Sequence, residues 1–274
     1  MSVYLLSVDC EATGLSKYTD QIVEVAVSIY TATCGDDGCT ITFTKCGVFR
    51  EYVRPTIARM SKGASMVTGI TDEKLCTAAP IEPVFGRMLE FIKQTCREPY
   101  DRYMLVYNGL GYDIPLIVAE LERYTRAVDY VRNMRLTKII DVLYWCRQHI
   151  DKTSLVRRST GQASFKLSDV YKATMGKKLD GAHGALADCC AVVDMLQTPL
   201  FQKFVEMVLI PSCRSQSCAT DDPLAELSNC CVNPMTFVRN CSKSCAQQQR
   251  GKRNRSRTVL DMLQSPVERK KTKK

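Results

Sequence analysis

Ten residues near the N-terminus, LLSVDCEATG at 5–14, constrain this chain more than any other stretch. Tyr4, Leu5, Leu6 and Val8 make a short apolar run that reads as a buried strand. Asp9 and Glu11 stand at its end. Side chains alternate along a strand, so the two carboxylates point the same way. Side by side they repel, and they cost stability unless positive charge sits between them. A divalent metal ion would supply that charge; an ordinary acidic strand-to-loop edge is the plain alternative. Gly14 gives the turn beyond them its backbone freedom.

The chain has 274 residues, 45% hydrophobic and 24% charged, enough for one large globular domain or a domain with an appendage. No apolar run approaches the roughly 20 residues of a membrane span, so no membrane partner is expected. The first strand begins without a basic leader, which argues against secretion. Fifteen cysteines, odd in number and unevenly spread, fit free thiols in a reducing nucleus or cytoplasm better than a disulfide framework. The net charge of +9 is concentrated at one end: residues 250–274 hold ten Lys or Arg against Asp261 and Glu268, a net +8, leaving +1 for residues 1–249. The body's attraction for polyanions must therefore be local.

A second strand is expected at 21–30 (QIVEVAVSIY), apolar on both faces. Glu24 inside it is either partly solvated or a support for the Asp9–Glu11 site from the neighbouring strand. A turn around Gly35 to Gly38 and broken β material at 41–53 complete an antiparallel meander. Gly69 ends a short helix within 57–70. A one-faced helix follows at 83–95, then a strand at 103–107, and a helix at 113–124 with Pro115 in its first turn. The stretch 137–143 is a strand passing into a helix, 151–166 an exposed basic loop, and 166–173 another helix. Helical residues continue from His183 to Leu196 and again over 200–210. The pattern predicts an α/β fold, a mixed five-stranded sheet flanked by helices, over residues 1–210.

Residues 211–274 read as a poorly structured, cysteine-containing basic tail. Only Cys241 and Cys245 approach zinc-site spacing, so free thiols are the reading for its six cysteines. RGKRNRSR and ERKKTKK are short like-charge blocks of the kind that contact nucleic acid, or a protein partner, or direct nuclear import.

Asp9, Glu11, Asp113 and Asp188 all fall at strand ends or helix starts. Such positions converge at one edge of a parallel sheet. Four acids around one pocket suit two hard divalent ions, Mg²⁺ with Mn²⁺ as substitute, and a pair of ions suits in-line displacement at phosphorus. Asp9 is placed to bridge the ions, Glu11 and Asp188 to hold the one serving the nucleophile, and Asp113 to stand in the outer sphere of the other. His183, in GAHGALAD, is the candidate general base, while His149 has no such neighbours. Arg132, Arg135, Arg157 and Arg158 are candidate phosphate contacts.

VDCEATGL, NGLGYDIPLIVAEL and HGALAD, in this order, resemble the three motifs of the DnaQ-like, or DEDDh, 3′-to-5′ exonucleases. The middle motif is most similar to that of the three-prime repair exonuclease (TREX) group. The resemblance covers roughly residues 3–209 and implies a ribonuclease H-like fold. It also implies metal binding by Asp9, Glu11, Asp113 and Asp188, proton transfer by His183, and release of 5′-mononucleotides from DNA 3′ ends. Ala12, Thr13, Gly14 and Leu15 match the segment on the terminal nucleotide, Leu15 as wedge; Ile70, in Thr68–Gly69–Ile70, packs on its other side, and Asn108 orients the strand end. The group further implies a homodimer. An RNA exonuclease of the same fold and a nonenzymatic nucleic-acid-binding module are the competing readings; five intact reactive residues disfavour the module.

Overall fold

Strand β1 (Ser2–Ala12) lies at the centre of the molecule, and the rest of the sheet is laid out from it. In the computed structural model, which describes residues 2–36, 40–208 and 231–248, β1 pairs antiparallel with β2 (Ile22–Cys34), which pairs antiparallel with β3 (Ile41–Tyr52). On its other side β1 runs parallel to β4 (Asp101–Val106), and β4 parallel to β5 (Lys138–Asp141). The expected meander is present, and the C-terminal ends of β1, β4 and β5 share one edge of the sheet.

Helices cover both faces. Helix α1 (Lys62–Thr68) is closed by Gly69 at φ 66°, a conformation that costs glycine little, and α2 (Asp72–Leu75) follows. Helices α3 (Ile81–Thr95), α4 (Asp113–Leu121) and α5 (Ala127–Met134) pack on the face bearing Tyr4, Leu6 and Val8. After α6 (Val142–His149) and α7 (Leu167–Met175), helix α8 (Ala185–Leu196) packs on the opposite face, against Val3 and Leu5. The buried positions Ala185, Cys189, Val192, Val193 and Leu196 of α8 recur at helical spacing, so one stripe of α8 seals the sheet. A 3-10 turn (Pro199–Phe201) and α9 (Gln202–Val208) finish that layer.

Two expectations change. The sheet has six strands, order β3-β2-β1-β4-β5-β6, because the two-residue β6 (Cys231–Val232) adds antiparallel to β5. Residues 231–248, expected to be poorly structured, instead continue from β6 into a helix, α10, over 234–248. The cause is an apolar stripe hidden in a polar, cysteine-rich composition: Val238 and Cys245 are buried in the core, with Met235, Phe237 and Cys241 packed against it. Ser242 Oγ ties the helix to Glu122 Oε1 at 2.8 Å. Cys241 and Cys245 belong to no cluster of metal-ligating side chains among the described residues. The cysteines at 213, 218 and 230, and the basic blocks, lie outside the described residues. Among the described residues no helix is long and apolar enough to cross a membrane.

Candidate active site

At the end of β1, strand alternation sends Asp9 and Glu11 to the face covered by α8, where Asp188 lies one turn into the helix. Each of the three offers a carboxylate oxygen, and these oxygens lie within 4.8 Å of one another. Asp113 stands outside this group, at the first position of α4. It is still close: after burial, its charge is the strongest influence raising Asp9, and the backbone N–H of Cys10 on β1 acts to lower Asp113's own pKa. Four acids therefore converge on one rim, three tightly and one beside them.

Every one of these carboxyls is held above the ordinary carboxylate range, first of all by burial. Glu11 is pushed up to about 8, first by burial and then most strongly by the charges of Asp188 and Glu24. Asp113 rises to about 7 and Asp188 to about 6, the latter restrained by the backbone N–H of His183. Asp9 is raised well above its usual value, with Asp113, Asp188, Glu11 and Glu24 all adding to burial. Asp188 Oδ1 is buried and has no hydrogen-bond partner among the described residues. A buried acceptor without a donor, set among repelling carboxylates, is what a hard divalent cation relieves; oxygen-only donors suit Mg²⁺ and Mn²⁺. The residues fit such ions. The neighbouring thiols Cys10 and Cys189 are pushed up by burial and by these acids, which keeps them protonated and out of the donor set.

The surrounding candidates fall into different places. His183 is exposed, in a left-handed turn (φ 65°) two residues ahead of α8, whose first residue is Ala185 rather than the histidine. Leu15 is 94% exposed beyond the end of β1. Thr13 is fully buried and its hydroxyl is committed, donating to Asp20 Oδ1 at 3.0 Å and accepting from Gln21 N–H at 3.0 Å. Buried Ala12 precedes it, and Gly14 carbonyl accepts the hydroxyl of Tyr112, next to Asp113. The Ile70 side chain is 2% exposed, packed with Val23 and Leu75. Asn108 is exposed at φ 61°. Arg157 and Arg158 line a cavity of about 550 Å³ together with Arg147 and Lys152. Arg132 is engaged with Asp129 at 2.6 Å on α5, and Arg135 caps that helix. His149 stacks on Trp145 with ring centroids 3.5 Å apart.

Two acids outside the tight trio hold the rim together. Glu24, one of two readings in the sequence, is buried and bonded, not solvated. Asp141, which is not among the acids expected from the sequence, is completely buried at the end of β5. It accepts backbone N–H groups from Asn108 at 2.8 Å, Leu110 at 3.0 Å and Leu143 at 3.1 Å. It thereby fixes the turn that leads into Asp113. The signal was available: TKIID is an apolar strand ending in an acid, just as LLSVD is. The same turn needs Gly109, where a Cβ would overlap the side chain of Val106. Gly109→Ala is expected to destabilise the protein by about 2 kcal/mol. It should also lower turnover more than a core substitution of equal cost, because it displaces Asp113; denaturant melts paired with rates check this.

An acid-lined edge of a mixed sheet, closed by a helix carrying a further acid, offers the all-oxygen donor set that suits hard divalent cations. The RNase_T family model, described as Exonuclease, matches residues 6–196, and the chain belongs to that family. Among solved structures it is similar to E. coli exonuclease I in complex with a dT13 oligonucleotide: 20% identity, 74% of this chain and 41% of that one, TM-score 0.55. It is similar also to the same enzyme with a dA16 oligonucleotide: 19% identity, 74% and 43% covered, TM-score 0.54. An exonuclease I–SSB-Ct complex matches at 16% identity, 76% and 44% covered, TM-score 0.55. These likenesses concern the fold, the ribonuclease H-like one, and the chain spans about two fifths of the length of the exonuclease I chains. No curated protein matches the chain.

Proposed function

We infer that the protein is a metal-dependent 3′-to-5′ exonuclease that removes 5′-mononucleotides from DNA, preferring single-stranded or frayed ends. The observation that carries this reading is the meeting of Asp9, Glu11 and Asp188 within 4.8 Å, in a chain of the exonuclease family. Asp9, Glu11 and Asp188, with Asp113 beside them, would hold two Mg²⁺ ions. When bound, such ions offset the carboxylate charges and stabilise the charge that develops in displacement at phosphorus. His183 takes the proton of the attacking water on an imidazole nitrogen; its exposure leaves it free to meet substrate. Leu15 stands out far enough to wedge against the last base. The backbone of Ala12, Thr13 and Gly14, and Asn108, flank the strand end. The Thr68–Gly69–Ile70 segment packs on the other side of the terminal nucleotide through its backbone, because the Ile70 side chain is buried against Val23 and Leu75. Arg157 and Arg158 hold phosphates upstream of the cut. The motif NGLGYDIPLIVAEL supports placement near the TREX group, and a homodimer with it.

End-labelled single-stranded DNA, duplex DNA and matched RNA, each with Mg²⁺, Mn²⁺ or chelator, test the proposal. Ladders of mononucleotide steps on DNA, lost with chelator, are expected. Faster cleavage of RNA would move the assignment to an RNA exonuclease, and binding without cleavage would make the chain a nucleic-acid-binding module. Removing residues 250–274 should weaken DNA binding at low salt while leaving metal-dependent hydrolysis in place, since those residues carry a net +8. Unchanged affinity in a salt titration would deny the tail that role.

A further inference from the structure

Glu24 is directly opposite Glu11 in the β1–β2 register. Like charges facing each other across strands oppose one another, and Glu24 also raises Asp188 and Asp9. Its side chain is 1% exposed. A further acid in this crowded place, distinct from the four that face the metal site, calls for a function that outweighs the repulsion. The structure supplies one. Arg50 on β3 donates from Nε to Glu24 Oε1 at 2.6 Å, and Arg50 Nη2 donates to the hydroxyl of Tyr52 at 3.2 Å. The second oxygen, Oε2, accepts the N–H of Ala185 at 3.0 Å, 161 residues away.

Ala185 is the first residue of α8, and the cap residue before it is Gly184. First-turn amides lack intrahelical partners, and a Ser, Thr, Asp or Asn cap ordinarily satisfies one of them. Glycine cannot. Glu24 provides that acceptor from across the sheet, so one carboxylate ties the start of α8 to β2. Two residues before the tie is His183, held at φ 65°; three residues after it is Asp188. The distance from this helix start to β1 decides whether both side chains meet the Asp9–Glu11 rim.

We propose that Glu24 is a positioning residue: its hydrogen bond to Ala185 N–H sets the start of α8, and with it the placement of His183 and Asp188. This rests on the exonuclease reading of the same site. Two substitutions separate reach from charge. Glu24→Gln keeps an oxygen at the right distance and loses the charge; Arg50, half-exposed, can turn to solvent. Glu24→Asp keeps the charge and the Arg50 pairing but falls one methylene short of Ala185. The full-length proteins are compared by hydrogen exchange over residues 183–188 without metal, and by kcat and KM on a single-stranded oligonucleotide with Mg²⁺. Glu24→Asp is expected to speed exchange about tenfold in this segment alone and to lower kcat about 10²-fold, with KM within about twofold. Glu24→Gln is expected to keep wild-type exchange and recover most of kcat. Glu24→Asp with wild-type exchange and kcat, or Glu24→Gln as defective as Glu24→Asp, would overturn the proposal. A wild-type protein that cleaves nothing would refute the exonuclease reading, while the exchange comparison would still decide the placement of α8.

Discussion

Asp188→Asn leaves a folded protein whose hydrolysis of single-stranded DNA falls by about 10³-fold or more. The carboxylate it removes is one of three within 4.8 Å, and its buried Oδ1 has no hydrogen-bond partner among the described residues. The amide replacement is nearly isosteric, so packing of α8 against Val3 and Leu5 is undisturbed. Stability should move the other way. The charge of Asp188 is the strongest charge raising Glu11 and also raises Asp9, so its loss relieves repulsion in the metal-free state. Metal-free Asp188→Asn is therefore expected to melt a few degrees higher than wild type at pH 8. The opposite signs matter: a protein that melts higher yet turns over far less has not failed by misfolding. Rates within tenfold of wild type, measured on protein with an intact melt, would contradict the two-ion assignment.

What the sequence made legible was what lies close along the chain. Asp9 and Glu11 face the same way because of strand alternation alone, and Gly69 closes α1 because glycine tolerates a positive φ. The meander and the parallel return through β4 and β5 followed from runs of apolar residues between turn signals. Three of the four acids meet as a tight group, with Asp113 beside rather than within it. Long-range partnerships were not legible. Nothing near Glu24 in sequence announces Ala185 or Arg50, so solvated and supporting readings could not be separated. Helix α10 is hidden in the sequence for a different reason. Its buried residues, Val238 and Cys245, sit among Ser, Asn, Lys and Gln, and cysteine there packs as a small apolar side chain. The exposure of Arg157 and Arg158 could be read from composition, whereas their grouping with Arg147 across a loop could not.

Raising the pH from 5 to 8 is expected to destabilise the metal-free protein, and Mg²⁺ to reverse the trend. Glu11 lies at about 8 against an ordinary 4.5, Asp113 at about 7 and Asp188 at about 6 against 3.8. An acid raised on folding binds its proton more tightly in the folded chain than in the unfolded one. The folded state is thus favoured most below the unfolded values, near 4, and the advantage drains away as pH climbs through 6, 7 and 8. One pKa unit corresponds to about 1.4 kcal/mol. Glu11 keeps some solvent contact and the group titrates jointly, so the cluster as a whole is assigned about 3 kcal/mol, or about 10 °C in a domain of this size. Mg²⁺ requires the ionised form, so protons compete with it and its affinity grows over the same window. At pH 5 added Mg²⁺ should leave the melting temperature almost unmoved; at pH 8 it should raise it by about 10 °C. Melting curves at three or four pH values, with chelator and with saturating Mg²⁺, measure both slopes. A chelated profile flat from pH 5 to 8, or a Mg²⁺ shift equal at both ends, would mean that these carboxylates are not held protonated by one another and by burial. The crowding at the end of β1 would then have to be relieved from within the chain.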